Sequence, residues 1–217
     1  MKNRGFYTTK FPYWLACFVW LLLNVPNAIA QTFVPGGVSQ IEWPFNGTPT
    51  NNYQGWTLWN GSGHHTNDDY HSQDWGRTSN NAAVCGDAFY SPISGTIKYI
   101  ERNYNMTTGT GNQYGNCVYI QSDVNPNFLF LVAHLATVPT NLTVGGYVSK
   151  RANLGTIGRT GCCAGNSCHA HMTLYNGPIS LLSSNGYYGG NQSNAAQFNV
   201  NNWTATAAPP PGPGIYA

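Results

Sequence analysis

The chain has 217 residues, only 7% of them Asp, Glu, Lys or Arg, with nine basic against seven acidic side chains and a formal net charge of +2. No basic patch speaks for nucleic acid, and the positive balance belongs to residues 1–30, where Lys2, Arg4 and Lys10 have no acidic counterpart. The remainder, rich in Asn, Gly, Thr, Ser and aromatics, suits short strands, polar loops and hydrogen bonding to a neutral polymer better than charge steering.

Residues 1–30 pair a basic start with the apolar run "WLACFVWLLL" and end on "NAIA" before Gln31, the pattern of a secretory signal peptide. The run is short for a membrane span and no second one follows, so the expectation is an exported chain, secreted or periplasmic, with no stable membrane insertion after cleavage. Residues 31–203 then form one β-rich domain. Its parts are an aromatic, turn-rich lead-in at 31–59, a core at 60–176 and a loop-rich part at 177–203. The stretch 31–82 reads as a long loop region leaning on the sheet. "TATAAPPPGPGIYA" gives a Pro/Gly-rich flexible tail at 204–217.

Between Ala83 and Asn176 the chain breaks into runs separated by Gly, Asn and Thr: "AFYSPISGTIKYIE", "NCVYIQSD", "NFLFLVAHL", "GYVSK", "LGTIGRTG" and "CHAHMTLYNG". None carries helical periodicity over ten residues, which predicts a mainly antiparallel β core. Five cysteines follow the leader, at 85, 117, 162, 163 and 168, and export favours disulfides among them. Cys85 precedes one predicted strand and Cys117 begins another, so the expected bridges are Cys85–Cys117 and Cys168 with Cys162 or Cys163.

The histidines carry the chemistry. In a strand, alternate residues share a face at about 3.3 Å rise, so His169 and His171 point the same way while Ala170, Met172 and Leu174 point the other. A pair of hydrogen-bonded surface histidines would look the same when taken alone. The others lie in "GHHTNDDYHSQDWGR", or, for His134, at the end of the apolar run "FLFLVAHL". Hydrolytic zinc sites use three ligands from His, Asp and Glu and leave a fourth position for water. His65, Asp74 and His171 would supply that set, and His134 and His169 are available for proton transfer or for holding an oxyanion.

A zinc-ligand His before a "Y-x-x-x-D-[FW]" segment, then "CGDAFYSPISGTI", "GNCVYIQSD", "AHL", "VGGYVSKRANLGTIGRTG" and a closing His-x-His, resembles the lysostaphin/LytM-type zinc metallopeptidases, and within them the LasA-like, β-lytic branch. The likeness covers roughly residues 60–176, in the same order. It implies an antiparallel β core whose long loops form a substrate groove, one zinc ion per chain on His65, Asp74 and His171, and catalytic roles for His134 and His169. Many members separate the first His and the Asp by four residues, but position 70 here is Tyr; the longer gap of the LasA-like branch suits His65, nine residues before Asp74. His64 and His71 remain rivals for that ligand. Asp68 and Asp69 read as loop-capping or solvated rather than as ligands.

The implied activity is an exported endopeptidase, acting as a monomer, that hydrolyses peptide bonds of bacterial peptidoglycan, in the stem peptide or the cross-bridge. The alternative is a non-catalytic protein on the same fold that binds peptidoglycan or activates a hydrolase, although all five site positions are filled here. A carboxypeptidase of similar His and Asp spacing would need a Glu base near the closing histidine. The chain offers only Glu42 and Glu101, neither close in sequence to a candidate ligand, and His-Glu-x-x-His is absent.

Overall fold

The computed structural model describes residues 39–45, 56–60, 63, 65–77, 85–105, 112–161 and 167–199, all within one compact unit, Thr32–Ala217. The expected leader and tail, and also His64, Cys162 and Cys163, lie outside the described residues. The strands are β1 (Ser39–Gln40), β2 (Trp56–Asn60), β3 (Gln73–Arg77), β4 (Ala88–Tyr90), β5 (Gly95–Glu101), β6 (Asn116–Ser122), β7 (Phe128–Thr137), β8 (Tyr147–Val148), β9 (Asn153–Ile157), β10 (Ala170–Asn176) and β11 (Phe198–Asn199). Among the described residues the only helical pieces are 3-10 turns of three residues at Asn67–Asp69, Ile179–Leu181 and Gln192–Asn194, so the fold is mainly β. Nine strands form an antiparallel sheet ordered β2-β3-β10-β7-β6-β5-β8, with β9 pairing both β4 and β7; β1 and β11 pair in parallel apart from it.

The sequence of β7, an apolar run with no polar alternation until His134, suits a central strand covered on both faces, and β7 lies between β10 and β6. Phe128, Phe130 and Val132 join Trp43, Phe45, Trp56, Trp75, Ala170, Met172 and Leu174 in the larger core. Leu129, Leu131 and Ala133 face the other way, into a smaller cluster with Tyr114, Cys117, Tyr119, Tyr175 and Tyr188. Each large side chain sealed in this way contributes about 1.5–3 kcal/mol of apolar transfer energy. Arg151 stacks its guanidinium over Tyr90 at 4.5 Å and donates to the carbonyls of Trp43 and Phe45, which fastens residues 43–45 to the core.

Alternation fails in β7 at Leu135. Leu135, which strict period two would put with Ala133, instead joins Phe130 and Val132 in the larger core. The register explains this: Asn116 pairs Leu135 while Val118 pairs Val132, so β7 holds one more residue than β6 between these pairs, a bulge. His134 adopts φ +60°, in the left-handed region, and the bulge turns its side chain to the face already occupied by Ala133. That face carries the site.

Residues 31–82 are not simply loop. Trp56 and Trp75, 3% and 2% exposed, anchor β2 and β3 as the end of the large sheet, and the lack of a side chain on Gly76 admits the Trp59 indole, with which a Cβ there would collide. The intervening Gly, Asn and Thr residues mask these short strands in the sequence.

The expected bridge Cys85–Cys117 does not form; Cys85 is bonded to Cys168, with Cα atoms 5.3 Å apart, and Cys117 is a buried free thiol. The pairing of Cys168 with Cys162 or Cys163 is excluded by the same bond. Topology gives the reason. Cys117 sits in β6 opposite Glu101 and turns into the smaller cluster, whereas Gly86 N–H donates to the Ile157 carbonyl and Gly158 bridges to His169, which brings 85 and 168 together. Peptide mapping without reductant is expected to recover Cys85 joined to Cys168. Replacing both by Ser should lower unfolding free energy in urea by about 2–4 kcal/mol. A fragment joining Cys85 to Cys117 would contradict the topology.

Candidate metal centre

The site is built from two strands and one compact loop. β10 lies antiparallel to β3 with His171 directly opposite Asp74, and His171 Nδ1 is 2.8 Å from Asp74 Oδ1. Asp74 therefore comes from a strand and not, as expected, from a loop. The third residue arrives from a loop that closes on itself: Gly63 N–H donates to Tyr70 O at 2.7 Å and Ser72 N–H to Asp69 O at 2.8 Å, around the turn Asn67–Asp69. This brings His65 Nε2 to 3.4 Å from Asp74 Oδ2 and the His65 ring to 5.1 Å from that of His171.

One donor atom from each of His65, Asp74 and His171 lies within 4.8 Å of the others. Asp74 and His171 are buried, and His65 Nε2 is a buried ring nitrogen without a hydrogen-bond partner. An unsatisfied buried donor or acceptor costs about 1–3 kcal/mol, so a nitrogen left so beside a carboxylate and a second imidazole is placed as a ligand would be. Two nitrogens and one oxygen match the set that divalent zinc accepts while keeping a fourth position open. The residues present fit the ion. Of the two rivals to His65, His71 stands outside this group and packs against the Tyr70 ring at 4.9 Å; His64 is not among the described residues.

His169 and His134 complete the lining. His169 Nε2 is 3.8 Å from Asp74 Oδ1, and the His134 ring lies 5.0 Å from His169 and 5.6 Å from His171. His134 Nδ1 is 2.7 Å from the Thr160 carbonyl and His169 Nδ1 is 3.1 Å from the Ser167 carbonyl. A carbonyl only accepts, so each Nδ1 carries the hydrogen and each Nε2 keeps a lone pair. Burial, reinforced by the neighbouring His171 and His169, pushes the His134 pKa down to about 3; burial lowers that of His169 as well. Both are therefore neutral bases near pH 7. For His171 burial works in the same direction but is outweighed by Asp69 and Asp74, which raise it to about 9. Trp59 flanks His169, with ring centroids 5.9 Å apart.

Sequence reasoning missed what lies behind His171. Asp69, set aside as loop-capping or solvated, is not in the three-residue donor group, yet its side chain is only 20% exposed and is ringed by hydroxyls. Its Oδ2 accepts from Tyr114 at 2.6 Å, and its Oδ1 accepts from Tyr175 and Thr173, each at 3.1 Å. Burial works to raise its pKa, but the nearby His171 and the hydroxyl bonds from Tyr114 and Tyr175 prevail and bring it down to about 2. A signal was present in β10, where Thr173 and Tyr175 continue the polar face begun by His169 and His171.

No family model matches the chain, and no curated protein matches it either. Solved structures do. The catalytic domain of the antimicrobial peptidase lysostaphin from Staphylococcus simulans is 19% identical, with 68% of this chain and 90% of that one covered at a TM-score of 0.43. A structure assigned to peptidase M23 from Pseudomonas aeruginosa is 18% identical, and the match takes in 82% of this chain and 58% of that one at 0.43. A zinc-containing peptidase from Vibrio cholerae is 17% identical over 61% of this chain and 37% of its own length, at 0.40. Overlap at this level carries no argument about chemistry, which has to come from the side chains.

Proposed function

We propose that this chain is an exported zinc metalloendopeptidase of the lysostaphin/LytM type, of the LasA-like branch, that hydrolyses peptide bonds in bacterial peptidoglycan. One observation carries the reading: His65 Nε2 is buried without a hydrogen bond and converges on Asp74 and His171, beside two histidines whose hydrogens sit on Nδ1. His65, Asp74 and His171 would hold the ion. When bound, zinc polarises a carbonyl and lowers the pKa of water towards 7.

The chain's own residues supply the rest. Hydrolysis of an amide adds the elements of water across the C–N bond, so one proton must leave the attacking water and one must reach the departing nitrogen. His169 Nε2 and His134 Nε2 are the neutral bases positioned to take and return these protons, and once protonated either can donate a hydrogen bond to an oxyanion. The Thr160 and Ser167 carbonyls fix which nitrogen does this work. Peptidoglycan as substrate rests on the motif resemblance and on the weakly charged composition. Export is supported by the leader pattern and by the Cys85–Cys168 bond, which persists in oxidising compartments. Among the described residues no helix is long and apolar enough to cross a membrane. A monomer with no nucleic-acid partner completes the proposal.

The test is digestion of purified peptidoglycans of several cross-bridge types, read by product mass. New amino termini should appear with the parent protein, vanish with a chelator and return on adding zinc. Binding to the sacculus without any new terminus would support the non-catalytic alternative instead.

A further inference from the structure

His171 can ligate through Nδ1 only if its proton sits on Nε2, so whatever Nε2 faces decides whether Nδ1 has a lone pair to offer. It faces Thr173 Oγ1, at 3.1 Å, two residues further along β10. A hydroxyl is an ambiguous neighbour, since it can donate to that nitrogen or accept from it. The ambiguity is removed one step further back. Thr173 Oγ1 is 3.1 Å from Asp69 Oδ1 and 2.7 Å from Ser72 Oγ, and Ser72 Oγ is itself 3.3 Å from Asp69 Oδ1. An ionised carboxylate accepts and never donates. With the Thr173 hydroxyl donating to Asp69 at 3.1 Å, or to Ser72, whose own hydrogen then runs to Asp69, that hydrogen is not spent on His171. In both arrangements an oxygen lone pair of Thr173 is turned to His171.

We propose that Asp69 is a positioning residue for the metal site: acting through Thr173, it holds the His171 hydrogen on Nε2, so that the proton given up when zinc binds is the one on Nδ1, which without the ion lies 2.8 Å from the Asp74 carboxylate. The inference rests on the reading of His65, Asp74 and His171 as zinc ligands. Tyr114 and Tyr175 serve the same end from the far side. Their hydroxyls, at 2.6 and 3.1 Å, hold the carboxylate in place and satisfy its remaining lone pairs, so that Asp69 does not swing towards the ion as a rival ligand. Direct contact is not available, because Asp69 Oδ1 is 3.9 Å from His171 Nε2; Thr173 is the necessary link.

The experiment is zinc binding by the full chain, measured in competition with a chromophoric chelator, on the parent and on Thr173→Val, Thr173→Ser and Asp69→Asn. Valine keeps the shape of threonine but cannot accept from Nε2, and asparagine keeps the shape of aspartate but can donate and so reverse the hydroxyl. Both are expected to weaken zinc binding by about 10–100-fold, the range for partners that orient a ligand, while Thr173→Ser stays within about threefold of the parent. Nitrogen-15 NMR of the zinc-loaded parent should show His171 protonated on Nε2. If Asp69→Asn does not fold, as judged by circular dichroism, the Thr173→Val and Thr173→Ser pair decides. Zinc affinity unchanged in Thr173→Val, or serine no better than valine, overturns the inference. A parent that binds no zinc overturns instead the reading of the site on which it rests.

Discussion

Replacing His171 by alanine is expected to empty the site of zinc and abolish peptidoglycan cleavage, while His169→Ala keeps its zinc and still loses cleavage. His171 faces Asp74 across the β3–β10 pair, with Nδ1 2.8 Å from the carboxylate, so its removal takes one of the three donors away. Less zinc should copurify, and the stabilisation that bound metal gives by linkage should shrink with it. His169 points the same way but stands 3.8 Å from Asp74 Oδ1 and is anchored through the Ser167 carbonyl; its loss leaves the His65, Asp74 and His171 donors intact. The cost there falls on turnover, on the order of 100-fold or more, as for removal of a positioned proton donor or acceptor. His134→Ala should behave as His169→Ala does. Zinc content and product masses on the same three preparations check the contrast. Zinc lost from His169→Ala and retained in His171→Ala would reverse the assigned roles, and undiminished cleavage by all three would end the enzyme reading.

Acid should destabilise the parent more than a His134→Gln variant, measured on chelator-treated protein. An unfolded histidine takes up its proton near pH 6.5, whereas folded His134, buried beside two other imidazoles, does so only near 3. Between those values the unfolded state holds one proton more, so stability falls as pH falls, by about 1.4 kcal/mol per pH unit for a single group. Glutamine can still donate to the Thr160 carbonyl but does not titrate, so the parent loses its advantage progressively below pH 6.5 and the loss is complete near 3. Other groups act in this range. His169 follows the same sign as His134, and Asp68, raised to about 6 by burial and then by Asp69, opposes it by taking its proton first in the folded state. Both groups titrate in the two proteins, and because the His134 and His169 rings lie 5.0 Å apart the difference reports His134 together with its coupling to His169. His171 acts elsewhere: its pKa is raised to about 9, so its contribution is complete below 6.5 and is lost as pH rises through 9. Urea unfolding of both proteins from pH 7.5 to 4 is the measurement. A difference in unfolding free energy that does not change with pH would show that His134 is not held neutral.

What the sequence revealed and what it hid divide by range. Period two along β10 put His169 and His171 on one face and Ala170, Met172 and Leu174 on the other, and the latter three are indeed sealed in the larger core. The six β-rich runs between 83 and 176 correspond to β4 through β10, the first run splitting into β4 and β5 at the turn through Pro92. These are local properties, carried by neighbours in the chain. Three features depended on the strand order and stayed hidden. Cys168 bonds to Cys85 because Ile157, at the end of β9, and Gly158, just beyond it, touch the neighbours of both cysteines. Asp74 belongs to a strand because β3 pairs with β10, almost a hundred residues away in the chain. Asp69 is largely covered because Tyr114, from the loop before β6, and Tyr175, from β10, close over it. No pattern of composition near Asp69 distinguishes it from Asp68.

The backbone at His134 opposes the side chain it carries. A left-handed φ of +60° costs a residue with a Cβ roughly 1 kcal/mol more than it costs glycine, and asparagine too tolerates the region better than most. Yet the same φ belongs to the bulge that turns the imidazole from the larger core to the face of His169 and His171. Fold and chemistry therefore rank the amino acids differently at this position. A chain released from any demand for hydrolysis would relax by exchanging this imidazole for glycine or asparagine, long before it had reason to give up the aromatic packing that surrounds it. Within this chain, residue 134 is a position that hydrolysis, and not the backbone, would keep as histidine.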